Sequence, residues 1–276
     1  MLTDAGFTDA QFHGWTGYRT SSFTQGGLVT ARKALVDACI RSGRASAQDA
    51  CVRSANHLMN ATPDARGFFT ERHALYSRFI RAMRYAQGLR AFFLGSPLVR
   101  PGLRILDAGC GTGALTLAVR DAFVRRGCVP SALHAFDLTP AMLDQLREAL
   151  HRRGINDVEL AEANVLQLDG LPTSWRDYHL IVSAAMLEYV PRDRFVDALA
   201  GLRGRLQEGG RLVLFITRRN PLTRLLIGRW WASNLYTAGE LSDACERAGF
   251  SRFAFRKFPT AARYLSVWGY IVEATR

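Results

Sequence analysis

The stretch "RILDAGCGTGALTLAV", residues 104–119, decides the fold. A short apolar run ends on Asp107, glycines follow at 109, 111 and 113, and an amphipathic helical pattern begins at Ala114. A strand that runs through a glycine turn into a helix is how an open α/β layer begins, and the turn is where such a layer holds a ligand.

Downstream of Leu103, short apolar runs alternate with helical patterns, the signature of a doubly wound sheet. The strand candidates are "RILDA", "ALHAFDL", "VELAEA", "HLIVSAA" and "RLVLFIT". Helices are predicted to start near Ala114, Pro140 and Pro191. The last of these places Phe195, Leu199, Leu202 and Leu206 on one face before "EGG" breaks it. In "TAGELSDACERAG", Thr237 and Glu240 have the spacing of a capping box, and Gly249 is a stop. Two further strands, "RFAFRKF" and "VWGYIVEAT", have too little between them for a crossover helix, so they pair antiparallel.

The first hundred residues read differently. "LVTARKALVDACIRS", "SAQDACVRSANHLMN" and "ERHALYSRFIRAMRYAQGLRAFFL" carry helical spacing, and the Gly/Pro-marked "GSPLVRPG" at 95–102 reads as a linker. The expected organisation is a helical N-terminal cap or lid over 1–95, followed by an α/β domain over 96–276.

Bulk properties set the frame. With 276 residues, 48% hydrophobic content and a mean hydropathy of −0.04, the chain can bury a large core, and no apolar run approaches the roughly 20 residues of a membrane span. The N-terminus lacks the basic and apolar regions of a secretory signal, which predicts a cytoplasmic protein. Five cysteines, an odd number without a C-x-x-C pair, read as buried small residues of a reducing compartment. Net charge is +12, with 13 basic and 6 acidic residues in the first hundred against 23 and 18 in the rest. A basic surface of this kind invites nucleic acid, anionic lipid or an acidic substrate. The six histidines show no metal-ligand spacing, so no metal is expected.

"GCGTGA" fits the dinucleotide pattern G-x-G-x-x-G/A, a weak signal taken alone. Asp107 discriminates. A pyrophosphate at a helix N-terminus wants N–H donors and positive charge, whereas a carboxylate beside the turn suits a ligand carrying an ammonium group. At these residues the chain resembles the class I S-adenosylmethionine-dependent methyltransferases, whose motif I "LDAGCGTG" matches almost letter for letter. The resemblance covers roughly residues 70 to 276 and implies a Rossmann-like fold with strand order 3-2-1-4-5-7-6, the seventh strand antiparallel.

It also implies a set of cofactor contacts. Asp107, Gly109, Cys110, Gly111 and Gly113 receive the methionyl end of S-adenosyl-L-methionine (product S-adenosyl-L-homocysteine). In "AFDLTPAML", Asp137 is placed to accept the ribose hydroxyls, while Leu138 and Met142 flank the adenine. "AEANVLQLDGLP" puts Asn164, with Val165 beside it, where the family carries an aspartate bonding the adenine amine. "YHLIVSAAMLEYVP" has His179 where aspartate is common, and sets Ser183 and Ala184 beside the sulfonium. Tyr76 corresponds to an aromatic of the lid helix. A sulfonium is a good leaving group, so alignment carries much of the reaction and no catalytic residue is assigned. The favoured acceptor is a small or amphiphilic metabolite, on the grounds of the helical cap and the loop "RRNPLTRLLIGRWW" with Trp230 and Trp231. RNA or protein, engaged through the basic N-terminal part, is the second class, and a non-catalytic cofactor-binding protein the third. Oligomeric state and acceptor atom are left open.

Overall fold

The computed structural model describes residues 7–21, 24–33, 83–224 and 233–276. The chain forms two compact units, Met1–Ala65 and Arg66–Arg276.

In the first unit, strands β1 (Phe7–Ser21) and β2 (Thr24–Lys33) make a two-stranded antiparallel sheet, with Phe7 opposite Lys33 and Ser21 opposite Thr24. This corrects the helical reading of the N-terminal part, in which Leu28–Lys33 belong to a helix. The physical reason is composition: aromatic residues and threonines recur through β1 and into β2, and such side chains favour a pleated surface over a helix. The helices expected over 34–82 lie outside the described residues.

The second unit holds a seven-stranded sheet. Its strands are β3 (Arg104–Ala108), β4 (Ala132–Asp137), β5 (Val158–Glu162), β6 (Tyr178–Ala184), β7 (Leu206–Thr217), β8 (Arg252–Arg256) and β9 (Gly269–Thr275). Their order across the sheet is β5-β4-β3-β6-β7-β9-β8. Counted from Arg104 this is 3-2-1-4-5-7-6, with β9 antiparallel to both its neighbours, as expected.

Alternation along the strands divides the core between two faces. Ile105, Leu180, Val182, Val213 and Phe215 pack under α1 (Tyr85–Leu94) and α2 (Ala114–Arg125). Leu106, Ile181, Leu212, Leu214 and Ile216 pack under α4 (Phe195–Arg205) and α5 (Ala238–Arg247). Between them in sequence, α3 (Pro140–Arg152) lays Leu143, Leu146 and Leu150 on Ala135 of β4. The predicted capping box of α5 is present: Glu240 N–H donates to Thr237 Oγ1 and Thr237 N–H to Glu240 Oε2.

Two sequence expectations shift. The domain break falls after Ala65 instead of near residue 95, because α1 belongs to the α/β unit. Leu89 and Phe93 of that helix are fully buried, and Phe92 meets the Phe215 ring edge-on at 5.4 Å. The helix that opens near Pro191 begins as a 3-10 turn, Arg192–Arg194, and gives way to β7 already at Leu206. "EGG" therefore lies inside the strand. The register slips there from Tyr178 opposite Leu206 to Leu180 opposite Arg211, with Gly209 left-handed at φ 70°.

Candidate active site

The carboxyl ends of β3 and β4 form a mouth lined by two aspartates. Between them the turn 109–113 is left-handed at each glycine, with φ of 74° at Gly109, 52° at Gly111 and 88° at Gly113. Two of these glycines are required for space as well. A Cβ on Gly109 would stand 2.1 Å from Met186 Cγ, and one on Gly113 would stand 2.2 Å from Leu146 Cδ1. Nothing lies within 4 Å of a Cβ on Gly111, so the turn is open at its middle.

Asp107 is fully buried. Its Oδ2 accepts from Thr116 Oγ1 at 2.6 Å, and its Oδ1 has no partner. Burial, reinforced by the nearby charge of Asp137 and opposed by the Thr116 hydroxyl, pushes its pKa up to about 7. A buried acceptor without a donor costs about 1–3 kcal/mol. An N–H or O–H donor would relieve it, and the ammonium group of an amino acid is one that fits.

Asp137, at the end of β4, is held by backbone donors. Gly111 N–H gives to its Oδ2 at 2.8 Å and Thr139 N–H to its Oδ1 at 2.9 Å. The Thr139 hydroxyl and the Leu138 N–H also help to hold the carboxylate. Burial nonetheless raises the pKa of this carboxyl too.

A third acid stands at the ends of β6 and β7. Past Ala184 the chain turns through Ala185, left-handed at φ 53°, whose N–H gives to Phe215 O at 2.9 Å. There β6 leaves β7. The next donor on that edge, Thr217 N–H, gives to Glu188 Oε2 at 2.9 Å. Beyond it the segment around Tyr236 takes over: Tyr236 N–H gives to Thr217 O and Arg219 N–H to Tyr236 O at 2.8 Å. Glu188 thus fills one gap in the ladder of β7, and its carboxyl, almost wholly buried, is pushed up by desolvation.

A family model for a methyltransferase domain matches residues 105–210. Aklanonic acid methyltransferase DauC of Streptomyces sp. (strain C5) is 27% identical over 52% of this chain and 60% of its own length. Carboxy-S-adenosyl-L-methionine synthase of Pseudomonas aeruginosa (strain UCBPP-PA14) is 32% identical over 44% of this chain and 48% of its own. The chain thus spans about half the length of these curated relatives. Among solved structures, magnesium protoporphyrin IX methyltransferase from Synechocystis PCC 6803 with bound SAH superposes at a TM-score of 0.55 and 18% identity, covering 76% of this chain and 97% of that one. Residues 105–210 are a methyltransferase domain of the class I S-adenosylmethionine-dependent family.

In this methyltransferase domain the expected cofactor residues Asp107, Gly109, Cys110, Gly111, Gly113 and Asp137 meet at one mouth. Leu138, half-buried, and Met142, buried, follow at the start of α3. Asn164 and Val165 come just after β5, and Asn164 Oδ1 already accepts Leu166 N–H at 3.0 Å. Ser183 donates its hydroxyl to Ala108 O at 2.8 Å, so it ties β6 to β3. The Cys110 thiol is buried and pushed well above 9 by desolvation and by both aspartates, which leaves it without nucleophilic character. Tyr76, Trp230 and Trp231 lie outside the described residues. Among the described residues no cluster of His, Cys, Asp or Glu is arranged for a metal, and no helix is long and apolar enough to cross a membrane. His134 belongs to the core: it stacks on Trp175 at 4.4 Å and bonds Tyr178 Oη at 2.7 Å.

Sequence reasoning missed the parts played by Thr116, Met186 and Glu188. An acid within the apolar "AAMLEYVP" was the available signal for Glu188, because a charged side chain in such a run needs a partner.

Proposed function

We propose that this protein binds S-adenosyl-L-methionine at the β3/β4 mouth and transfers its methyl group to a small or amphiphilic acceptor. The observation that carries the reading is the unpartnered, buried Oδ1 of Asp107 beside three left-handed glycines. Bound there, the cofactor supplies a methyl group on a positively charged sulfur that leaves readily. Asp107 would hold the ammonium group and the open turn at Gly111 would receive the methionyl chain. Asp137, already oriented by the backbone N–H groups of Gly111 and Thr139, would accept the ribose hydroxyls in exchange for the Thr139 hydroxyl. Leu138, Met142 and Val165 would supply apolar contact to the adenine, and Asn164 one acceptor for its amine. Alignment of acceptor and sulfonium is the main contribution asked of the chain. The names of two similar proteins point to small acceptors, aklanonic acid and magnesium protoporphyrin IX. The N-terminal unit would serve the acceptor, and the protein would work in the cytoplasm.

Calorimetry with S-adenosyl-L-homocysteine tests this directly. Binding is expected, and Asp137→Ala should weaken it by roughly 1–3 kcal/mol through loss of charge-assisted hydrogen bonds. Tight binding of NAD in its place would show that the turn holds a dinucleotide. RNA binding that is sequence-selective and survives 200 mM salt would move the acceptor to the nucleic-acid class, since counterion release alone fades steeply with salt.

A further inference from the structure

The sheet offers the Asp107 carboxyl almost nothing polar. The residues level with it on β4 and β6 are Ala135 and Val182, both apolar and fully buried. The titratable groups facing it among the described residues are Asp137, whose charge opposes its ionisation, and the buried Cys110 thiol. What holds it comes from one residue of the first turn of α2, Thr116, itself fully buried. The Thr116 hydroxyl donates to Oδ2 at 2.6 Å, and the Thr116 backbone N–H steadies the same carboxyl. An N–H so close to a helix start lacks an intrahelical acceptor, and Gly113, at the N-cap, has no side chain to supply one. Asp107 therefore serves α2 from the neighbouring strand. A β-branched side chain is stiff at χ1, so the hydroxyl stays aimed at Oδ2 and Oδ1 is left as the bare atom.

We infer that Thr116 is a positioning residue for the cofactor: by tying Oδ2 of Asp107 to α2, it leaves Oδ1 to meet the ammonium group. The inference rests on the methyltransferase reading and adds to it a residue that acts through Asp107. Both Thr116 donors also favour the ionised carboxyl, against the burial that pushes its pKa up to about 7. Without the hydroxyl, more of the unliganded protein carries a proton on Asp107 at neutral pH. That proton has to pass to the solvent before the carboxylate can pair with an ammonium group.

The test is calorimetry of the full chain with S-adenosyl-L-homocysteine at pH 7, in buffers of different ionisation enthalpy so that the protons released on binding are counted. Thr116→Val keeps the branched shape and removes the donor. It should bind about tenfold more weakly than wild type, the worth of one hydrogen bond to a charged group, and release more protons per cofactor bound. The loss should shrink toward pH 8, and Thr116→Ser should restore both affinity and proton count. Thr116→Ala, a good helix former that also lacks the donor, should repeat the result if Thr116→Val folds poorly. In an Asp107→Asn background the same Thr116→Val change should cost less than about twofold and add no protons, because two residues acting as one unit are not additive. A loss that persists undiminished in that background overturns the inference, since Thr116 would then act by packing alone. So does a wild type that binds while Thr116→Val matches it in affinity and proton release. If wild type fails to bind S-adenosyl-L-homocysteine at all, the methyltransferase reading falls and the inference with it.

Discussion

Asp107 and Glu188 are both buried acids at the carboxyl ends of adjacent strands, and the fold uses them in opposite ways. Glu188 receives the one N–H that β7 cannot give to β6 or to the Tyr236 segment, so its oxygen completes a ladder. Asp107 is paired through one oxygen and keeps the other bare. Burial raises the pKa of both, so a perturbed acid by itself does not mark a ligand site. What separates them is the unsatisfied atom.

The largest effect that would break this contrast is on stability. Glu188→Ala should leave Thr217 N–H buried without an acceptor and cost about 3 kcal/mol, whereas Glu188→Gln, which still offers an amide oxygen, should cost about 1 kcal/mol or less. Urea unfolding of both variants measures it. Equal losses would mean that the carboxylate's charge, and not its place in the ladder, is what the fold needs.

Asp107→Asn should do the reverse. Removing a buried charge leaves folding unharmed or improved, while the lost charge-assisted bond to an ammonium group weakens S-adenosyl-L-homocysteine by about 2 kcal/mol, roughly thirtyfold. A melting curve and a titration on the same sample separate the two. A variant that melts at a lower temperature yet binds normally would assign Asp107 the structural part instead.

The smallest effect is with pH. An ammonium ligand prefers the ionised Asp107, whose pKa is pushed up to about 7, so affinity should fall as pH drops from 8 to 6, by up to about tenfold. Without ligand the trend in stability runs the other way. The folded protein keeps a proton on Asp107 between about pH 4 and 7, where the unfolded chain has lost it, so this group's contribution declines as pH rises through that window. Titrations at pH 6, 7 and 8 check the first claim, and melting without ligand checks the second. A flat affinity would show that the ligand does not meet this carboxylate.

The β3/β4 half was legible in the sequence because its determinants are local. Asp107, the three glycines and the start of α2 fall within a dozen residues, and Asp137 is fixed by the end of the next strand. Strand limits followed from apolar runs for the same reason. The other half depends on pairings between distant residues. Glu188 finds Thr217 29 positions away, and Arg218 lies on Tyr270, 52 positions on, contacts that no spacing rule exposes. In the N-terminal unit, helical spacing pointed one way and the density of aromatic residues and threonines pointed the other. There strand pairing prevailed from Phe7 to Lys33.

The hand-over along β7 bears on how such a protein can change its substrate. Arg219 and Tyr236 are hydrogen-bonded to each other, so the stretch between them leaves and rejoins the sheet at one point. Lengthening a loop whose ends are already joined costs little, about 0.6 kcal/mol for each doubling. Insertions between residues 224 and 233, which spare Asn220 and buried Thr223, should therefore leave the sheet and the β3/β4 mouth standing. A designer can graft there without redesigning the β3/β4 half of the sheet.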